Sequence, residues 1–221
     1  MTEIKTPTRL GDSSGEHPRP VTVVAVILAA GRASRMGAGG AHKLLAEFDG
    51  EPLVRRAART ALAADAASVI AVTGHRRGEI EVALSGLALT TVDNPNYASG
   101  MASSLISGLS APGARDADGV LVMLADMPGV TPGDLNALIS AFRAAWGQAI
   151  VRAVSHGKPG NPVILPRSLR AAVMRLEGDV GARHVIKTSG LQVIDVDIGE
   201  AAHLDVDTPE AVLAAGGILR G

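Results

Sequence analysis

The chain has 221 residues, a formal net charge of −1, no cysteine, and only 2% aromatic residues among 47% hydrophobic ones. Without cysteine there are no disulfides, thiolate nucleophiles, cysteine zinc sites or iron–sulfur clusters. Scarce aromatics and a balanced charge argue against a nucleic-acid platform, and the aliphatic remainder is enough to bury a core.

Residues 1–20 are polar, carry Gly11, Gly15, Pro18 and Pro20, and lack the apolar run of a signal peptide. They read as a mobile tail ahead of a single domain over 21–221. No apolar stretch approaches the roughly 18 residues of a membrane span, so the expectation is a soluble, cytoplasmic protein without membrane partners. The run 21–29 is nearly continuous in Val, Ile and Ala and predicts a strand buried on both faces. A helix follows over 52–64, with Leu53, Ala57, Thr60 and Ala61 on one stripe and Arg55, Arg56 and Arg59 on a solvated face. Buried strands are likewise predicted over 68–73, 89–92, 119–124 and 191–196, and a helix over 101–109. A helix over 131–146 opens with Thr-Pro and ends on Trp146, which reads as packing. Residues 150–155 and 162–165 predict a hairpin or antiparallel insertion at the sheet edge. The last helix starts at Thr208, with Pro209 in its first turn. Alternating strands and helices predict an α/β, doubly wound, mostly parallel Rossmann-like sheet with a small antiparallel insertion.

Open parallel sheets bind ligands beyond the carboxyl ends of their strands, which singles out three loops. After the first strand comes Leu28-Ala29-Ala30-Gly31-Arg32, continuing through Arg35, Met36 and Gly37 to Lys43. Small residues let a ligand approach the backbone, and the cations suit a triphosphate. The loop lacks the Gly-Lys-Ser/Thr of a P-loop and the spacing of the dinucleotide fingerprint, and a solvated glycine-rich loop is the alternative. After 119–124 comes Asp126-Met-Pro128, either a metal-holding carboxylate or a cap for the next helix. After 191–196 comes Asp205-Val-Asp207-Thr-Pro, where strand alternation puts both carboxylates on one side. They suit Mg²⁺, which takes one or two carboxylates plus substrate phosphates; helix capping is again the alternative. The histidines, including His42, His75 and His156, show no metal-ligand spacing. Tyr97 is placed either to touch a nucleotide or to make a lid contact.

Together, Leu28-Ala-Ala-Gly-x-x-Ser-Arg-Met-Gly37, Lys43, Asp126-Met-Pro and Asp207-Thr-Pro-Glu resemble the magnesium-dependent nucleotidyltransferases of the NTP-transferase type. These share the nucleotide-diphospho-sugar transferase fold. Val72-Thr-Gly-His75, Asn94-Pro, the 100–109 segment, Gly157-Lys-Pro-Gly-Asn-Pro-Val163 and Gly178-Asp-Val-Gly-Ala-Arg183 narrow the resemblance to the MobA/MocA-like molybdenum cofactor cytidylyltransferases. The five residues between Gly37 and Lys43 lengthen the usual family spacing.

The resemblance implies attack of the terminal phosphate of molybdopterin on the α-phosphate of CTP, with pyrophosphate leaving. It implies Lys43, Arg35, Asp126 and Asp207 as catalytic residues, with Asp126 and Asp207 holding Mg²⁺. It implies nucleotide contacts at Leu28, Ala29, Ala30, Gly31, Arg32, Thr73, Gly74, Ser103 and Ser104, beside Lys43 and Asp126. Acceptor contacts would fall at Gly157, Gly160, Asn161, Asp179 and Arg183, and a molybdenum hydroxylase apoenzyme would be a further partner. Two alternatives share parts of this pattern. One is a nucleotidyltransferase using GTP or a sugar or alcohol phosphate. The other is a non-catalytic carrier delivering cofactor to such a hydroxylase, for which Lys43, Asp126 and Asp207 together would not be needed.

Overall fold

A computed structural model describes residues 19–33, 36, 42–179 and 181–219. Of the expected tail, only Arg19 and Pro20 fall among the described residues. In chain order the strands are β1 (Val23–Leu28), β2 (Glu47–Phe48), β3 (Glu51–Pro52), β4 (Val69–Thr73), β5 (Thr90–Asp93), β6 (Gly119–Leu124), β7 (Ile150–Ser155), β8 (Lys158–Pro166) and β9 (Val193–Asp197). The helices are α1 (Leu53–Leu62), α2 (Arg77–Leu84), α3 (Met101–Ser110), α4 (Pro112–Asp116), α5 (Pro132–Ala144), α6 (Arg170–Val173), α7 (Ala182–Thr188) and α8 (Pro209–Ala214).

Seven strands form one sheet in the order β5-β4-β1-β6-β8-β7-β9, and β2 and β3 form a separate antiparallel pair. All pairings in the sheet are parallel except those of β8, which runs against both β6 and β7. The predicted mostly parallel α/β sheet is therefore present. The hairpin differs from the sequence expectation of an edge insertion: β7–β8 lies inside the sheet, and β9 forms the edge. A long β8 pairs with β6 at one end and, across a register shift, with β7 at the other, which builds the hairpin into the sheet.

The continuous apolar run of β1 has its cause in two cores. Val23, Ala25 and Ile27 pack with residues of α1, α2 and α5 on one face, and Val24 and Val26 pack with residues of α3, α4, α6 and α7 on the other. Helix starts follow local chemistry. Thr131 and Asp134 form a reciprocal capping box on α5, and the Thr208 hydroxyl accepts from the Ala211 N–H at the start of α8. Helix α2 had no clear signal in the sequence, because Ile80 and Leu84 are its only buried residues and Val82 is exposed. Arg55, read as part of a solvated face, donates to the carbonyls of Ala83 and Ser85 and so ties the end of α2 to α1. Trp146 does not pack as expected. Helix α5 ends at Ala144, and the chain turns at Trp146 and Gly147 with φ of 54° and 72°, which turns the indole away from the stripe of Leu135, Leu138, Ile139 and Phe142 and leaves it 71% exposed. At the other end of the sheet, Arg19 makes a two-pronged ion pair with Asp118, which also accepts from the Thr22 N–H and hydroxyl. Burial works against the Asp118 charge, but Arg19 and Thr22 outweigh it and hold the carboxyl at about 2.

Gly108 lets α3 pack closely on the sheet. A β-carbon there would lie 2.4 Å from Val26 Cγ1 and 3.1 Å from Val72 Cγ2. Alanine is worth up to about 1 kcal/mol over glycine in a helix, whereas overpacking a core costs about 1–3 kcal/mol. Gly108→Ala is therefore expected to lower the melting temperature by several degrees; an unchanged or raised value in calorimetry would contradict this packing.

Candidate active site

Three segments far apart in sequence meet at the carboxyl ends of β1 and β6. Lys43, in a short 3-10 turn (Lys43–Leu45), donates from Nζ to Asp126 Oδ2 and to Asp207 Oδ1, each at 2.5 Å. Asp126 follows β6 by two residues, and its backbone carbonyl accepts from the Val206 N–H, which fixes the 205–207 segment alongside. The ion triplet is well shielded: the side chains are 12% exposed at Lys43, 14% at Asp126 and 32% at Asp207.

These positions settle the capping alternatives. Thr131 and Thr208 cap α5 and α8, and the carboxylates of Asp126 and Asp207 turn to Lys43 instead. Asp205 is exposed and outside the triplet, because residues 204–207 form no strand and the Asp205 N–H turns back to the His203 carbonyl, so the expected alternation does not hold. Burial opposes the charge on Lys43, but the attraction and hydrogen bonds of Asp126 and Asp207 outweigh it and raise its pKa above the ordinary lysine value. The ammonium stays charged, which two shielded carboxylates require. Among the described residues, Asp126 Oδ1 is buried without a hydrogen-bond partner. A hard divalent cation fits this donor set, since it would take an orphaned carboxylate oxygen together with the second aspartate.

The nucleotide-side residues are placed as follows. Leu28 ends β1; Ala29 and Ala30 are buried with their side chains in opposite cores, and Gly31 and Arg32 are exposed. Arg35 lies outside the described residues. Thr73 is buried at the end of β4, and its hydroxyl faces the Val92 carbonyl at 3.4 Å. Gly74 is a contact point: a β-carbon there would lie 2.8 Å from Tyr97 Cβ and 2.9 Å from Ala30 Cβ. The hydroxyls of Ser103 and Ser104 accept from Asn94 Nδ2 at 2.9 and 3.0 Å, so this pair braces the 94–100 loop. Sequence reasoning passed over Asn94 as an actor, although Asn-Pro after a strand is the signal that marks it.

His42 was likewise missed. It is 3% exposed, its Nδ1 accepts from the Leu44 N–H, and its ring lies 5.6 Å from that of His75, which in turn faces Tyr97 at 5.8 Å. Burial, reinforced by the charges of His75, Arg76 and Lys43, lowers its pKa to about 4 against a nearby Gly31 carbonyl that favours the charged form.

On the α3 face of the sheet a cavity of about 1010 Å³ runs from Leu28 and Leu124 across to Arg152 on β7 and Val193 on β9. Gly160, Asn161, Asp179 and Arg183 line it. Gly157 is not among its lining residues and sits in the β7–β8 turn with φ of 74°.

A model of the MobA-like NTP transferase domain matches residues 25–193. The chain is 31% identical over 196 residues to nicotine blue oxidoreductase of Paenarthrobacter nicotinovorans, covering 85% of this chain and 93% of that one. It is 27% identical over 208 residues to purine catabolism protein PucB of Bacillus subtilis (strain 168), with the same coverages, 85% and 93%. The crystal structure of Rv0371c from Mycobacterium tuberculosis H37Rv shares the fold, with a TM-score of 0.75 over 89% of this chain and 98% of that one at 24% identity.

The depressed His42 pKa has a defined sign. The unfolded chain binds a proton at this position below its ordinary 6.5 while the folded protein resists until about 4, so stability present above 6.5 is lost as pH falls through that window. The loss is on the order of 3 kcal/mol. Melting temperatures of wild type are expected to fall over this range more steeply than those of His42→Asn, which keeps an acceptor for Leu44 but cannot charge. Parallel curves would refute this.

Proposed function

The chain belongs to the MobA-like NTP transferase family, and from that premise we propose that it transfers CMP from CTP to the terminal phosphate of molybdopterin, releasing pyrophosphate. The observation that carries this reading is the Lys43 ammonium shared between Asp126 and Asp207 at 2.5 Å each, at the carboxyl ends of β1 and β6. Nucleotidyl transfer asks a protein mainly to align two phosphates and to neutralise the charge that builds on them. The acceptor phosphate is already an anion, so no general base is needed, and a chain without cysteine or a serine–histidine pair loses nothing by it. Lys43 would turn from its carboxylates to the phosphate oxygens of the bound triphosphate. Asp126 and Asp207 would hold Mg²⁺, which supplies further neutralisation of the triphosphate charge. The backbone after β1, from Leu28 to Gly31 with Arg32 and Arg35 beyond, would line the phosphates. Thr73, Gly74, Ser103 and Ser104 would border base and ribose. The chamber holding Gly160, Asn161, Asp179 and Arg183 would take the acceptor.

Cytidine as the base rests on the Leu-Ala-Ala-Gly loop of residues 28–31. GTP, other phosphorylated acceptors and simple cofactor carriage are the competing readings. The oxidoreductase name of the Paenarthrobacter relative adds a fourth, for which the ion triplet would be idle.

Pyrophosphate release separates them. With Mg²⁺ and molybdopterin, CTP is expected to be turned over fastest; equal turnover of GTP would remove the cytidine assignment, and no release with any nucleotide would leave the carrier or the oxidoreductase. Asp126→Asn is expected to lower kcat by about 100-fold or more, with an unchanged circular dichroism spectrum, and full activity would exclude its role. In thermal shift assays Mn²⁺ or Mg²⁺ is expected to raise the melting temperature of wild type and not of the Asp126→Asn variant.

A further inference from the structure

One row of residues runs across the sheet past the large cavity, and Val122, Val163 and Arg152 of that row line it. Val26 pairs with Val122, Val122 with Val163, Val163 with Arg152, and Arg152 with Asp195. Three valines thus give way to a guanidinium on the same face of the sheet. Arg152 lines the cavity with its side chain only 22% exposed, where an aliphatic residue would continue the row at no cost in desolvation. It is also tightly aimed. Nε donates to Asp195 Oδ1 at 3.0 Å, and Nη2 donates to Oδ1 and Oδ2 at 2.8 and 3.1 Å. This clamp spends one edge of the fork and leaves Nη1 for another acceptor. The surroundings favour an anion: Arg183, His184 and Lys187 line the same cavity, with Asp179 as the carboxylate among them.

We propose that Arg152, held by Asp195, is a specificity-determining residue that reads an oxygen-bearing, anionic or carbonyl group at the far end of the acceptor. The proposal rests on the cavity being the acceptor chamber, as above. Position gives the direction. Leu28 and Leu124 bring the cavity to the strand ends next to Asp126, whereas Arg152 stands two strands beyond β6, roughly 10 Å away at the usual strand spacing. A group at that distance does not touch the reacting phosphates. It selects and orients the body of the acceptor, with the valine row beneath the apolar part and the guanidinium at its polar edge. Asp195 acts through Arg152 by fixing the plane of the fork.

The test uses the full chain and molybdopterin as probe. Arg152→Met keeps the length and removes the donors. It is expected to weaken molybdopterin binding, measured by titration calorimetry without nucleotide, by about tenfold or more, the usual scale for a charge-assisted hydrogen bond. The KM for molybdopterin should rise by the same factor, with the KM for CTP and the melting temperature unmoved. Arg152→Lys should recover part of the loss, and Asp195→Asn, which keeps the shape but loosens the clamp, should give an intermediate loss. Equal molybdopterin affinity in wild type and Arg152→Met overturns the proposal. So does a loss that follows the melting temperature or affects CTP alike, since that marks Arg152 and Asp195 as a cross-strand structural pair only. Wild-type protein that binds no molybdopterin overturns it as well. If the wild type binds molybdopterin yet releases no pyrophosphate with CTP, cytidylyl transfer falls alone, and the binding difference still decides Arg152.

Discussion

A strand packed on both faces has no face left for a ligand, and this constraint organises the whole molecule. β1 gives alternate residues to two separate cores, and its neighbours β4 and β6 do the same. On these three strands the carboxyl ends are what remains for chemistry. Because β4, β1 and β6 run parallel, their carboxyl ends lie together, and the loops after them bring Gly74, Gly31 and Asp126 to one edge of the sheet. The third core, around Phe48, Leu53, Val206 and Val212, then has a specific job: it carries the 205–207 segment past the end of β6, where the Val206 N–H reaches the Asp126 carbonyl.

The ion triplet follows from that geometry. Two aspartates brought this close and this far from water would repel each other without a cation. Lys43 fills that need, and the preference of a buried ammonium for losing its proton is overcome by its two partners. Under the proposed function, a site so arranged would already be ordered before a triphosphate binds. Its lysine and carboxylates would then need only to exchange partners, the kind of preorganisation on which charge stabilisation relies.

The reversed strand β8 has a separate consequence. By entering the sheet between β6 and β7 it extends the α3 face well beyond the parallel half. The cavity under α3 and α7 spans this extension, so its lining changes from valine to Arg152, held by Asp195, with distance from the strand ends. A wholly parallel sheet of four strands would have ended before that change.

Much of this was legible in the chain. Continuous Val/Ile runs bounded by Gly, Asp and Asn marked the buried strands β1, β4 and β6, and Thr-Pro marked the starts of α5 and α8, because burial on two faces and capping leave local signatures; β5 and β9, expected to be buried as well, are exposed or half-buried because they are the edges of the sheet. Lys43, Asp126 and Asp207 could be named from motif resemblance, but their capping alternatives could not be dismissed. Whether a carboxylate turns to a helix N–H or to a lysine 83 or 164 residues away depends on contacts that no local pattern encodes. The edge position expected for the hairpin, the packing expected of Trp146 and the solvation expected of Arg55 differ from the structure for the same reason: strand order, a left-handed turn and a neighbouring helix end decided them. His42 and Arg152 gave no signal, since a buried imidazole and a clamped guanidinium read like ordinary polar residues in a sequence. The sequence by itself determined the seven strands of the main sheet and the helices α1, α3, α5 and α8, because hydrophobic period and caps are local. Only the tertiary structure decided which charges meet, because burial and long-range pairing set the cost of leaving each one alone.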